Sequence, residues 1–129
     1  MSTVYEFLEQ DTLTVDEVIK NLLCYEEILG VVAVTVEGLV MGSAGVADSD
    51  LDMVSLLGAS LVGVAERSTR RLGTGSTLGL TLLTNDGMIT IRNGGDYALM
   101  VFSSMCDQRV LHEALIGPMD QITHILNPG

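Results

Sequence analysis

A few short stretches of the chain carry residue types whose spacing could do chemistry. Gly73-Thr74-Gly75-Ser76-Thr77-Leu78-Gly79 has the composition of a phosphate loop, in which backbone amides at a helix start cradle an anion. No lysine follows the glycines, and the segment leaves a helical pattern to enter a strand pattern. A phosphate loop does the reverse, so the better reading is a turn. Arg67, Arg70 and Arg71 could offer a cation in trans to the charge that develops in phosphoryl transfer. At the end of a helix their ordinary role is to complement its negative pole while staying solvated. Ser103 and Ser104 have no histidine near them in sequence to act as a base. His112 is followed by Glu113, but the fourth position on is Ile116 rather than a second histidine, which excludes a metalloprotease helix. Cys24 and Cys106 lack partners at metal or redox spacing, and reduced, mostly buried thiols are expected. No catalytic residue, no metal and no cofactor emerges from these patterns, and the expectation is a protein that is not an enzyme.

Composition points the same way. The 129 residues are 47% hydrophobic, enough for one ordinary core. Seventeen acids against six bases give a net charge of −11, which argues against nucleic acid and against insertion into an anionic membrane. Twelve of the acids fall at or before Glu66, where Lys20 is the only base. The first ten residues have neither a basic start nor an apolar run, so no secretory signal is read and a cytoplasmic location is expected.

The elements that must position these residues follow a regular order. A short helix over Thr3 to Gln10 is expected within an N-terminal extension of residues 1–13. Thr14 and Glu17 form a capping box for a helix running to about Ile28, with Val15, Val18, Ile19, Leu22 and Leu23 as its apolar face. Gly30 ends that helix. Val31 to Val36 is a β-branched strand joined by Glu37-Gly38 to a second strand, Leu39 to Ala44. Ser49, flanked by Asp48 and Asp50, caps the longest helix, which Gly73 stops. Strands follow over Ser76 to Thr84, Met88 to Arg92 and Tyr97 to Ser103, separated by Asn85-Asp86-Gly87 and Asn93-Gly94-Gly95-Asp96 turns. Asp107 caps a final helix from Gln108, and Pro118 predicts a kink or break before a last piece, Met119 to Leu126.

Within the long helix, Met53 to Ala65 carries no charge. Val54, Leu57, Leu61 and Ala65 form the stripe expected to face a sheet. Ser55, Ala59 and Gly63 form a second line of small residues that would let another helix approach closely. A membrane span is excluded by length, since one needs about 20 apolar residues. The strand at Ser76 to Leu83 is long and nearly uncharged, an edge that proteins usually cover or pair. Strand and helix together predict a second chain.

One family accommodates all of these features. Gly30-Val31-Val32-Ala33-Val34-Thr35-Val36-Glu37-Gly38-Leu39-Val40-Met41-Gly42-Ser43 resembles the opening hairpin of the roadblock family, the group of dynein light-chain and Mgl-type GTPase-regulator domains. The resemblance continues through Asp48 to Asp52, the Ala- and Leu-rich helix, Gly73 to Gly75 and the meander ending in Asp96-Tyr97-Ala98-Leu99-Met100-Val101. It implies one roadblock-like (profilin-like) α+β domain over residues 14–127, with order α-ββ-α-βββ-α and helices on both faces of a five-stranded antiparallel sheet. It also implies a homodimer or paralogue heterodimer in which the third strands pair and the long helices lie side by side. The dimer-interface candidates are Met53, Leu56, Ser60, Gly63, Thr77, Gly79 and Thr81. Such dimers bind small Ras-like GTPases as activators or scaffolds, and on this chain the implied GTPase-binding residues are Ser55, Ala59, Val62, Glu66, Arg67 and Arg70. The alternative expectation is a small-molecule-sensing or purely structural adaptor.

Overall fold

The computed structural model describes residues 14–128; the helix expected over Thr3 to Gln10 lies outside them. Thr14 starts the first described helix, α1 (Val15–Leu22), its hydroxyl accepting the Glu17 N–H at 3.2 Å. The helix ends earlier than its apolar pattern suggests. Leu23, Cys24 and Tyr25 donate to Lys20, Asn21 and Leu22, three residues back, the tightened geometry of a closing turn. Ile28 then pairs with Ser103 as the start of a strand. Gly30 lies inside this strand rather than stopping a helix, and a Cβ there would sit 3.0 Å from Val46 Cγ2. The glycine is needed because the following hairpin folds closely over it.

The remaining elements are β1 (Ile28–Thr35), β2 (Val40–Ala44), α2 (Asp48–Arg71), β3 (Gly79–Leu83), β4 (Met88–Asn93), β5 (Tyr97–Ser103) and α3 (Gln108–Leu126). The strands form one antiparallel sheet in the order β2-β1-β5-β4-β3. Central strands β1 and β5 are buried on both faces. Val31, Ala33, Leu99 and Val101 pack with α1 and α3, while Val32, Val34, Ala98 and Met100 pack under α2.

Two helix expectations are corrected. The N-cap of α2 is Ala47, which makes no side-chain cap, and Ser49 lies inside the first turn. Helix α3 continues through Pro118 without a break. The proline frees the Ala114 carbonyl, but Leu115 before it and Ile122 after it are both buried on the sheet. The Tyr97 hydroxyl adds a bond to the Met119 carbonyl at 3.0 Å, and burial pushes that phenol above its ordinary pKa, keeping the proton for this contact.

The seat of α2 is made of small residues. Ser55 and Gly58 are its buried positions, and a Cβ on Gly58 would come 2.2 Å from Met100 Sδ. Leu57, expected in the core, is instead 49% exposed. The helix rests close to the sheet, so bulk is excluded where contact is tightest.

Candidate interaction surface

The C-terminal end of α2 is clasped to the start of β3 by one carboxylate. Glu66 Oε1 accepts from Arg70 Nε, and Oε2 accepts from the Thr77 N–H at 2.9 Å and Asn93 Nδ2 at 3.4 Å. The Arg70 guanidinium, and after it the Thr77 amide, hold this carboxyl below its ordinary pKa of 4.5. Arg70 Nη2 donates to Ser76 Oγ at 3.2 Å, the Thr69 and Thr77 hydroxyls meet at 2.9 Å, and Asn93 Nδ2 donates to the Thr77 carbonyl at 2.9 Å. This network explains why the third strand starts at Gly79 instead of Ser76: the backbone of Thr77 is committed to the helix. Thr77, an expected dimer residue, is buried in the clasp.

The glycine-rich segment that resembles a phosphate loop is the cap of α2. Gly73, at φ 75°, donates to the Arg70 carbonyl and Thr74 to that of Thr69, the paired bonds of a Schellman motif. These amides are used within the chain. A cleft of about 460 Å³ opens beside the clasp, bounded by Val36, Ala59, Val62 and Leu78. Its polar side chains Glu66, Arg70, Ser76 and Asn93 bond to one another, so they form a support rather than a set of converging ligand contacts.

The two edges of the sheet are treated differently. On β2 the outward Ser43 N–H is taken by Asp16 Oδ1 of α1 at 3.1 Å. Gly42 permits this approach, since a Cβ there would lie 2.8 Å from the same carboxylate oxygen. The β3 edge has no such cover among the described residues. The bonds from the Asn93 N–H to the Leu78 carbonyl and from Thr84 to Gly87 set the parity of the β3–β4 ladder. Leu80 and Leu82 point their backbone groups inward to Ile91 and Ile89. Gly79, Thr81 and Leu83 therefore point theirs outward. Two of the expected dimer residues, Gly79 and Thr81, are thus at the bare edge.

The outer side of α2 carries Met53 (66% exposed), Leu56 (59%), Val64 (54%), Ser60, Arg67 and Arg71. Expected dimer residues Met53, Leu56 and Ser60 lie there, and Gly63 is half-buried at its margin. The expected GTPase-binding residues divide. Ser55 is 1% exposed and donates to the Asp52 carbonyl, so it faces the sheet. Ala59 and Val62 pack partly against the core, and Glu66 belongs to the clasp. Arg67 and Arg70 remain exposed. Leu57, expected in the sheet-facing stripe, and Val64 are both exposed; their separation from the small-residue seat marks them as surface residues. Leu56 and Ala59 face Gly38 in the β1–β2 turn. The opposite flank of the helix, with Leu57 and Leu61, is accordingly turned towards β4 and β3.

Other chemistry-bearing residues do not converge. Cys24 is exposed, against expectation, and Cys106 is half-buried; His112 and His124 are exposed. Among the described residues no three His, Cys, Asp or Glu side chains gather as a metal site, and no helix is long and apolar enough to cross a membrane.

Comparison with curated proteins returns no match. Among solved structures, a Roadblock/LC7 domain from Streptomyces avermitilis superposes with a TM-score of 0.82 at 17% identity, covering 88% of this chain and 98% of that one. Myxococcus xanthus MglB gives a TM-score of 0.80 at 16% identity, over 88% of each chain. A structure described as MglB with tetrameric arrangement gives 0.72 at 15% identity, over 86% of each. At these identities the likeness establishes the fold. The family model for the Roadblock/LC7 domain matches residues 14–104 of the sequence, and the chain belongs to that family.

Proposed function

We propose that the protein is a non-catalytic, dimeric binding module for a small Ras-like GTPase, acting as activator or scaffold. The observation that carries the self-pairing is the contrast between the two sheet edges: Asp16 takes the Ser43 N–H on one, and the other has no cover among the described residues. Exposed, regular strand edges pair with other chains unless something prevents it. Here the bare edge adjoins exposed apolar residues of α2, so strand and helix offer one continuous surface. Charge supports a two-fold arrangement. Helix α2 begins with Asp48, Asp50 and Asp52 and ends with Arg67, Arg70 and Arg71; antiparallel partners place unlike charges side by side.

Pairing of β3 and the Leu57 flank leaves the top of the two long helices for a further partner. The family relationship suggests a Ras-like GTPase, and Leu56 and Arg67, about three turns apart on the outer face of α2, offer it an exposed apolar contact and an exposed cation, arginine being enriched at the centre of interfaces. A sensing role is less well supported, because the polar groups of the cleft are occupied by one another.

The test is calorimetric titration of a Ras-like GTPase encoded in the same gene neighbourhood, loaded with a non-hydrolysable GTP analogue. Leu56→Asp and Arg67→Glu are expected to weaken binding about tenfold or more each, in line with interface anchors. Equal binding by the wild type and both variants removes this surface.

A further inference from the structure

We propose that Arg92 reaches across the bare edge of the sheet to pair with Asp86 of the partner subunit, a contact that selects a second copy of this chain. The inference rests on the self-pairing reading above. Arg92 stands on β4 directly opposite Gly79 of β3, and opposed residues share a face of the sheet. A Cβ on Gly79 would lie 3.1 Å from Arg92 Nη1 and 3.3 Å from Cδ. The arginine side chain therefore occupies the space that a side chain at 79 would take. It lies over the edge strand, with its guanidinium at the boundary where a second chain would dock. A Cβ at 79 would also meet the Ile91 carbonyl oxygen at 2.6 Å, so the backbone itself keeps this position free of a side chain.

Neither ion pair among the described residues involves Arg92. Lys20, Arg67 and Arg71 also stand outside those pairs; what sets Arg92 apart is its place beside the edge strand, where a carboxylate of a second copy would meet it. Backbone parity then locates that partner. Pairing about a two-fold axis at Thr81 uses the outward groups of Gly79, Thr81 and Leu83 and is the register that engages β3 over its full length. Gly79 then faces Leu83 of the second copy, and the β3–β4 turn begins at the next residue. Asp86 sits in that turn, held by its backbone N–H on Thr84 Oγ1 at 3.3 Å, with an exposed carboxylate. Two-fold symmetry makes the contact occur twice. Ion pairs of this kind add little affinity but discriminate strongly between partners, because the wrong charge is repelled.

Mixing two charge-reversed variants tests this directly. Arg92→Glu homodimers place Glu against Asp86 twice, and Asp86→Arg homodimers place Arg against Arg92 twice, so each is expected to dissociate roughly tenfold more readily than the wild type. In a mixed dimer both contacts are attractive again. Native mass spectrometry of the two variants, mixed after mass tagging, is expected to give predominantly the mixed species. A statistical 1:2:1 distribution from chains that dimerise overturns the Arg92 contact alone. A wild type that stays monomeric overturns the self-pairing reading beneath it.

Discussion

Replacing Thr81 by proline removes one backbone N–H that points away from the subunit. In the two-fold register this N–H and its symmetry mate bond across the axis, so the substitution deletes two intersubunit hydrogen bonds. Each is worth about 1 kcal/mol net, and the loss of about 2 kcal/mol weakens the dimer by about 30-fold. The fold itself keeps its ladder, because the inward bonds of β3 belong to Leu80 and Leu82. Thr81 also donates its hydroxyl to Gln108 Oε1 at 3.2 Å, so Thr81→Val serves as the control that removes only that contact. Leu82→Pro is the reciprocal control: it breaks an inward bond and should lower the melting temperature sharply. The assay is a sedimentation dilution series alongside thermal melts. An unchanged dimer constant for Thr81→Pro, or unfolding as severe as that of Leu82→Pro, refutes the parity assignment.

Other consequences concern packing and charge. Gly58→Ala should destabilise the protein by about 1 kcal/mol despite better helix propensity, since overpacking against Met100 costs about 1–3 kcal/mol and outweighs the gain of about 1 kcal/mol. Gly63→Ala, whose Cβ would meet only Arg67 Nη1 at 3.8 Å, should raise stability by up to about 1 kcal/mol, and denaturant titration of the pair checks the contrast. Thr90 Oγ1 is buried without a hydrogen-bond partner among the described residues, so Thr90→Val should be neutral or stabilise by about 1 kcal/mol; a loss of that size would reveal a bond the hydroxyl makes in solution. Glu66 has a lowered pKa, so the unfolded chain takes up its proton first as pH falls. Its stabilising contribution is present above the unfolded value near 4.5 and disappears as pH drops through the lower folded value. Melts from pH 7 to pH 3 should show wild type and Glu66→Gln converging only below about 4.5, and a gap unchanged down to pH 3 contradicts the clasp.

Much of this molecule was legible because its local signals agree. Thr14, Asp107, the Glu37-Gly38 turn and the Asn85-Asp86-Gly87 turn each act through their own backbone neighbourhood, and each bounds the element it predicts. Misreadings arise where distant residues decide. The apolar run after Leu22 continues a helical pattern, but Ile28 gains a β partner in Ser103. Ser76 to Leu78 has the composition of a strand, yet Glu66, eleven positions before Thr77, draws that amide away from any ladder. Pro118 is tolerated because buried residues on both sides hold the helix down. Along α2 two expectations of exposure are reversed. Hydrophobicity placed Leu57 in the core and Ser55 at the surface. The reverse holds because contact between α2 and β5 is so close that only small side chains fit. No feature of the linear sequence reveals which backbone groups of β3 point outward, since that depends on its pairing with β4.

The central claim is that one edge of the sheet and one flank of α2 exist to hold a second copy of the chain. Light scattering of the purified protein, resolved by size at micromolar concentration, tests this most directly. The predicted mass is twice the 13.7 kDa of one chain, falling towards the single-chain value for Thr81→Pro. A wild type that elutes with the mass of one chain at that concentration contradicts the account.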